Sequence, residues 1–323
     1  MNTKSCAARR LLSAAALTIA VATGPAWAHE GHAPETPPPA AETQQVAPGV
    51  WVLLGSNGNV LIVPDDKGTL IVDDQRDTDH DEIVKAVGQV SKTPIRYVVN
   101  THWHLDHAGG NAAFAKAGAT IVAQRQVRER LAKDQYMAAY RVNIAASPVI
   151  AHPTEVFDDK HALTVGSETI QLQHTPNAHT DGDIIVRLPK ANVLHMGDLF
   201  FGGMFPFIDV STGGDIDGLV EAIDAALAMA DDKTRIVPSH GPVSTKADLA
   251  AYRAMLVDVR DKVRTAKADG KTIMQTIEAD LIAAYPIEGE GKGFVAAIYQ
   301  TVDSTPAERD ARKQAAPTKA ATP

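Results

Sequence analysis

Apolar residues recur along this chain in short runs that carry two different periods. Val50-Trp51-Val52-Leu53-Leu54, residues 59–63 and residues 69–72 are brief and rich in β-branched side chains, with Pro64-Asp65-Asp66-Lys67-Gly68 between the last two. Such runs, broken by a turn of that composition, predict hairpin-linked strands. Residues 79–90 place Ile83, Val84 and Val87 at helical spacing, and residues 95–99 then read as a buried strand. A helix over 109–117, a strand over 119–123 and helical stretches to about 145 make a second unit. Residues 146–165, punctuated by Pro148 and Pro153, read as loop.

Strands return at 169–174, 183–188 and 192–195. Residues 215–230 align Ile216, Leu219, Ile223, Ala226 and Leu227 on one helical face. A short strand at 235–237 precedes helices at about 246–267 and 271–284, and a polar tail begins near 303. Strands, α/β units, strands again and finally helices are accounted for by two facing sheets with helices on both outer faces. The expected domain runs from 48 to 302, with the sandwich ending near 260 and further helices after it.

The N-terminal region changes the picture of where the domain starts. Lys4, Arg9 and Arg10 precede an apolar run over 11–22 and an Ala26-Trp27-Ala28 cleavage-like site, the anatomy of a secretory signal over 1–28. The run is too short to cross a bilayer comfortably, so no membrane anchor is expected once it is cleaved. Residues 29–47 are rich in Pro, Ala, Glu and Gln and predict a disordered linker. The expected location is periplasmic or secreted.

Composition then narrows the chemistry. The only cysteine, Cys6, lies in the signal, so the mature chain offers neither a disulfide nor a thiolate ligand. Without Lys4, Arg9 and Arg10, 28 basic residues face 39 acidic ones, a net charge near −11. That balance, with no long basic run, argues against a nucleic-acid partner and for a small-molecule substrate.

The chemistry concentrates in Asn100-Thr101-His102-Trp103-His104-Leu105-Asp106-His107-Ala108-Gly109-Gly110, at the C-terminal end of a predicted strand. In an extended segment His102 and His104 point the same way and can share one ion, whereas Asp106 and His107 sit where the chain turns. Four donors from one loop exceed what one tetrahedral zinc with an open position needs, but suit two adjacent ions. Three later donors lie at strand ends: His179, Asp198 in Met196-Gly197-Asp198, and His240 in Pro238-Ser239-His240-Gly241. His80, His152, His161, His174 and His195 read as ordinary surface or core histidines. Asp181 and Asp183 are candidates to orient a ligand imidazole or to cap a turn. Trp103 and Leu105 are expected to pack beneath the loop, and Met204, Phe205, Pro206 and Phe207 to form either an apolar wall over the ions or a plain hydrophobic plug.

The ordered set His102-x-His104-x-Asp106-His107, His179, Asp198, His240 resembles the motif series of the metallo-β-lactamase superfamily of hydrolases over roughly residues 48–260. The resemblance implies an α/β fold, a four-layer αββα sandwich with extra C-terminal helices and the metals at one edge. It implies that His102, His104 and His179 hold one Zn2+, that Asp106, His107 and His240 hold a second, and that Asp198 bridges them. It further implies a hydroxide nucleophile generated near neutral pH, with Asp106 essential for turnover.

The substrate class so implied is an ester, thioester, lactone or lactam. β-Lactamase activity proper is an alternative weakened by two departures: no cysteine stands where Asp198 aligns, and Phe201 replaces the lysine often found three positions beyond. Alternatives of other classes are an iron-dependent sulfur dioxygenase and a non-catalytic periplasmic metal-binding protein.

Overall fold

The computed structural model describes residues 42–311 except 56, 306 and 310. The predicted signal, most of the linker and most of the tail lie outside the described residues, all of which fall in one unit of the fold. From its N-terminal end come strands β1 (Glu42–Ala47), β2 (Val50–Leu54), β3 (Val60–Val63) and β4 (Thr69–Val72), then helix α1 (His80–Val90) and strand β5 (Ile95–Asn100). Short helices α2 (Leu105–Ala108) and α3 (Asn111–Lys116) lead to β6 (Thr120–Gln124) and α4 (Arg125–Leu131). A hairpin of β7 (Gln135–Met137) and β8 (Val142–Ile144) precedes β9 (Glu155–Phe157).

The second half holds β10 (Lys160–Val165), β11 (Glu168–His174), β12 (Ile184–Leu188), β13 (Val193–His195), α5 (Ile216–Met229) and β14 (Arg235–Val237). Helices α6 (Lys246–Ala268), α7 (Ile273–Glu278) and α8 (Gly291–Thr301) follow.

Seven strands pair in the order β1-β2-β3-β4-β5-β6-β9, and five in the order β10-β11-β12-β13-β14. Strand alternation divides their side chains among three apolar layers. Val52, Leu61, Leu70 and Val72 of the first sheet meet Leu172, Ile184, Val186 and Leu188 of the second in the central layer. The opposite face of the first sheet, with Ile62, Ile71, Val98 and Ile121, packs on Ile83 and Val87 of α1 and Phe114 of α3. The outer face of the second sheet, with Ile185, Leu194 and Ile236, is covered by α5, α6 and α8 through residues such as Ile223, Val259 and Phe294. The expected four-layer αββα sandwich is therefore present. Its C-terminal helices belong to the outer layer, since α6 and α8 share one core with the sheet.

The structure corrects four readings of the sequence. The predicted linker 29–47 contains β1, whose polar residues pair antiparallel with β2 from Glu42↔Leu54 to Ala47↔Val50 and use backbone bonds that need no apolar side chains. The helical stretch expected to 145 ends at Leu131 and gives way to the β7–β8 hairpin. The loop expected over 146–165 contains β9 and β10, and in β10 the alternation that buries Leu163 and Val165 is plain. The helix expected over 271–284 shortens to α7, and α8 follows where no helix was expected. The start of the polar tail is pinned, because Arg309 Nε donates to Asp215 Oδ2 at 3.1 Å.

Parallel pairing of β4, β5 and β6, and of β13 with β14, sends several strand ends to one edge between the sheets. There the loops after β4, β5, β11, β13 and β14 meet.

Candidate metal centre

At that edge the structure gathers all seven sequence-predicted residues into two groups. His102, His104, His179 and Asp198 each offer a ligand atom within 4.8 Å of the others, and Asp106, His107 and His240 do the same. Asp198 lies between the groups. Its Oδ2 is 3.9 Å from His102 Nε2 and 3.6 Å from His179 Nε2, while its Oδ1 is 3.4 Å from His107 Nε2 and 3.5 Å from His240 Nε2. Asp106 Oδ2 is 3.3 Å from His107 Nε2 and 3.4 Å from His240 Nε2.

Local backbone explains the convergence. After β5 the chain bends over residues 101–104 and brings His102 and His104 together, and α2 then carries Asp106 and His107 to the second group. Gly197 adopts φ +54, and a Cβ there would lie 2.8 Å from Thr101 Cβ, so only glycine lets the Asp198 loop sit against the histidine loop.

Partners behind the ligands fix which ring nitrogen faces inward. His104 Nε2 donates to Asp209 Oδ2 at 3.1 Å, and His179 Nδ1 donates to the Phe207 carbonyl at 2.8 Å. His107 Nδ1 donates to Asp73 Oδ2 at 3.0 Å. His102 Nδ1 donates to Thr101 Oγ1 at 3.0 Å, and that hydroxyl donates in turn to Asp73 Oδ2 at 2.9 Å. In the first group each outward proton is committed, so each inward nitrogen presents a lone pair.

His104 Nδ1 thus lies 3.1 Å from His102 Nε2 and 3.0 Å from His179 Nε2 with no proton left to share. Three converging lone pairs repel unless a cation sits among them. In the second group, the buried His107 Nε2 and Asp198 Oδ1 have no hydrogen-bond partner. Buried polar atoms are rarely left so, and the nitrogen and oxygen donor set fits zinc, iron or manganese.

Electrostatics divides the two groups. Burial pushes the His179 imidazole down to about 4 and His102 well below its ordinary value, with the neighbouring imidazoles adding to the effect on both. Burial also opposes a charge on His107, but the carboxylates of Asp106, Asp198 and Asp73 outweigh it and hold that group well above its ordinary value. His240 is raised by Asp198 and Asp106 against the same burial cost. Burial disfavours a charged Asp209, yet its bonds with His104, Ser211 and Thr212 bring its carboxyl down to about 2.

A cavity of about 790 Å³ opens over the cluster. Met204, Phe205 and Phe207 line it, so the apolar-wall reading of that segment holds. Phe207 stacks on His104 at 5.9 Å between ring centroids, and Phe201 on His240 at 5.5 Å. Trp103 is buried as expected, but Leu105 is 38% exposed and lines the cavity, where α2 turns it outward.

Asp181 and Asp183 do not touch a ligand ring. Asp181 pairs with Arg130 at 2.7 Å, and Asp183 caps the turn by accepting from the Thr180 amide at 2.7 Å and hydroxyl at 2.6 Å. The residues that do orient ligand rings, Asp73, Thr101 and Asp209, were missed by the sequence reading. Asp73 had a signal: it directly follows β4, at the same edge as the histidine loop. The five histidines read as ordinary all lie outside the two groups.

This sandwich, with seven donors at one edge, defines a metal-dependent hydrolase. The family model of the metallo-beta-lactamase superfamily matches residues 53–241, and the chain belongs to that superfamily. It is 30% identical over 215 residues to a hydroxyacylglutathione hydrolase of Polaromonas sp. (strain JS666 / ATCC BAA-500), covering 64% of this chain and 73% of the relative. It is 22% identical over 191 residues to a metallo-beta-lactamase type 2 of Bacteroides fragilis, covering 59% and 71%.

Among solved structures, a metallo-beta-lactamase from Pontibacter korlensis superposes with TM-score 0.56 at 20% identity, over 68% of this chain and 99% of that one. The stereoselective inverting sec-alkylsulfatase Pisa1 from Pseudomonas sp. superposes with TM-score 0.62 at 19% identity, over 80% of this chain and 50% of that one. At such identities these two show the shared fold alone.

Proposed function

We propose that this chain is a two-zinc hydrolase that cleaves an ester, thioester, lactone or lactam bond. The observation that carries the reading is the placement of Asp198, with one carboxylate oxygen toward each group of donors. His102, His104 and His179 would hold one ion, Asp106, His107 and His240 the other, and Asp198 would bridge them. Three imidazoles in one group favour zinc. Bound there, the ions would supply Lewis acidity toward a substrate oxygen and acidify a water for attack.

The chain's own residues do the rest. Asp209, Asp73, Thr101 and the Phe207 carbonyl hold the imidazoles in one tautomer and one orientation, so the site is formed before substrate arrives. Phe205, Phe207, Met204 and Leu105 give the cavity an apolar wall that excludes water and takes the acyl part of a substrate. Phe201 on His240 supplies no cation, which disfavours a β-lactam. The hydroxyacylglutathione hydrolase relatives favour a thioester within the proposed class. Residues 1–28 favour export to the periplasm or beyond, and the acidic balance favours a small-molecule substrate.

The test is a panel of assays with added zinc, covering nitrocefin, homoserine lactones, acyl-glutathione thioesters and phosphodiesters. Turnover of a carbonyl substrate that chelation abolishes and zinc restores is the expected result. Turnover confined to phosphodiesters, or unaffected by chelation, contradicts the reading.

A further inference from the structure

Arg76 is the only Lys or Arg among the described residues lining the cavity; the other charged groups around it, apart from the histidines, are carboxylates. It follows β4 by four residues, and its backbone is pressed against the histidine loop. A Cβ on Gly109 would lie 3.0 Å from Arg76 Cα. The side chain therefore starts from a fixed point beside Gly109, at the end of α2.

Among the described residues its guanidinium has no ion pair, although acidic residues stand close by in sequence. The carboxylate of Asp79 is already engaged: Oδ2 accepts from Asn57 Nδ2 at 2.9 Å and from the Arg76 amide at 3.2 Å, and Oδ1 accepts from Thr78 Oγ1 at 3.2 Å. Asp77 makes no bond to Arg76 either, and both are exposed at the rim. A guanidinium offers five donors in a fork that matches a carboxylate. The same cavity has an apolar wall in Met204, Phe205 and Phe207.

We infer that Arg76 is a specificity-determining residue that anchors a carboxylate on the substrate, while the acyl chain lies on the apolar wall. The substrate class is then an acyl compound with a free carboxylate remote from the scissile bond. This deepens, and rests on, the hydrolase reading. Arg76 touches no ligand and takes no part in bond breaking, so its removal acts on KM and leaves kcat in place.

Two matched pairs of probes test it on the zinc-loaded protein. The esters are mono-4-nitrophenyl adipate and 4-nitrophenyl hexanoate, which share chain length and differ in a terminal carboxylate. The unreactive pair is adipic acid monoanilide and hexananilide, read by calorimetric binding. Wild type is expected to favour the carboxylate member of each pair by about tenfold, in KM and in affinity. Arg76→Ala should erase both preferences by raising the adipate KM and weakening the adipic anilide to the level of its hexanoic partner, and Arg76→Lys should restore them in part.

Equal binding of the two anilides by wild type overturns the inference whatever happens to the esters. So does an Arg76→Ala protein that keeps the preference. Hydrolysis of neither ester, with the anilide preference intact and lost in Arg76→Ala, upholds the carboxylate anchor and tells instead against ester cleavage.

Discussion

Asp209 Oδ2 accepts the Nε2 proton of His104 at 3.1 Å across 105 residues of sequence, while the Asp209 amide donates to the His179 carbonyl at 2.9 Å. One residue thus fixes two members of the first donor group, one by its side chain and one by its backbone. The carboxylate is held in turn by Ser211 Oγ and Thr212 Oγ1, both at 2.6 Å. Replacing Asp209 by Ala should weaken the first ion by about 10–100-fold. Asp209→Asn, which keeps an acceptor, should lose less. Metal titration against a chelator of known affinity checks both, and unchanged affinity in Asp209→Ala would show that His104 needs no partner.

Acidification should empty the two groups in order. Without an ion, His107 and His240 bind protons more readily than an ordinary imidazole, because the carboxylates of Asp106 and Asp198 outweigh burial. His102 and His179 bind them less readily, because burial dominates, and His179 protonates only near pH 4. A proton competes with a metal for the same lone pair, so affinity falls with pH first where the imidazole is raised. The ion held by Asp106, His107 and His240 should therefore leave at higher pH than its neighbour. Metal content after dialysis at stepped pH would show two losses, and a single concerted loss would contradict this order.

Asp106 contacts both His107 and His240 and serves only the second group. Asp106→Ala should cut turnover by more than the roughly 10–100-fold that outer partners are worth, with the fold intact by circular dichroism. A purified variant with full activity would refute the two-ion mechanism.

Gly218 of α5 touches the loop that carries His179, since a Cβ there would lie 1.9 Å from the Asn177 carbonyl oxygen. Backbone must move to admit it, so Gly218→Ala should cost about 1–3 kcal/mol of stability. Thermal melting of the variant against wild type measures the cost. An unchanged midpoint would mean the His179 loop yields freely.

These residues also mark what the sequence discloses. The first-layer site was legible because His102, His104, Asp106 and His107 lie within six positions and the other three donors each follow a strand. Their orienting partners were not: Asp209 reaches His104 from a loop with no spacing relation to it, whereas Asp181 and Asp183, closer to His179, serve Arg130 and Thr180. Strands β2 to β5 were legible from dense apolar and β-branched runs, of which β3 and β4 are buried on both faces. The β7–β8 hairpin was not, because its three-residue strands fully bury no apolar residue and mix polar residues with apolar ones, whereas the equally short β13 and β14 each bury adjacent apolar residues. Helix α8 was hidden by Gly291 and Gly293 in its first turn, and its stability comes from burying Phe294, Val295 and Ile298 against the outer core.

The central claim is that seven side chains hold two zinc ions around Asp198. Elemental analysis of the full chain, purified from its native compartment without added metal, tests it most directly. The account predicts close to two zinc per chain, falling toward one in Asp106→Ala. One iron per chain and no zinc would contradict it and point to redox chemistry on the same sandwich.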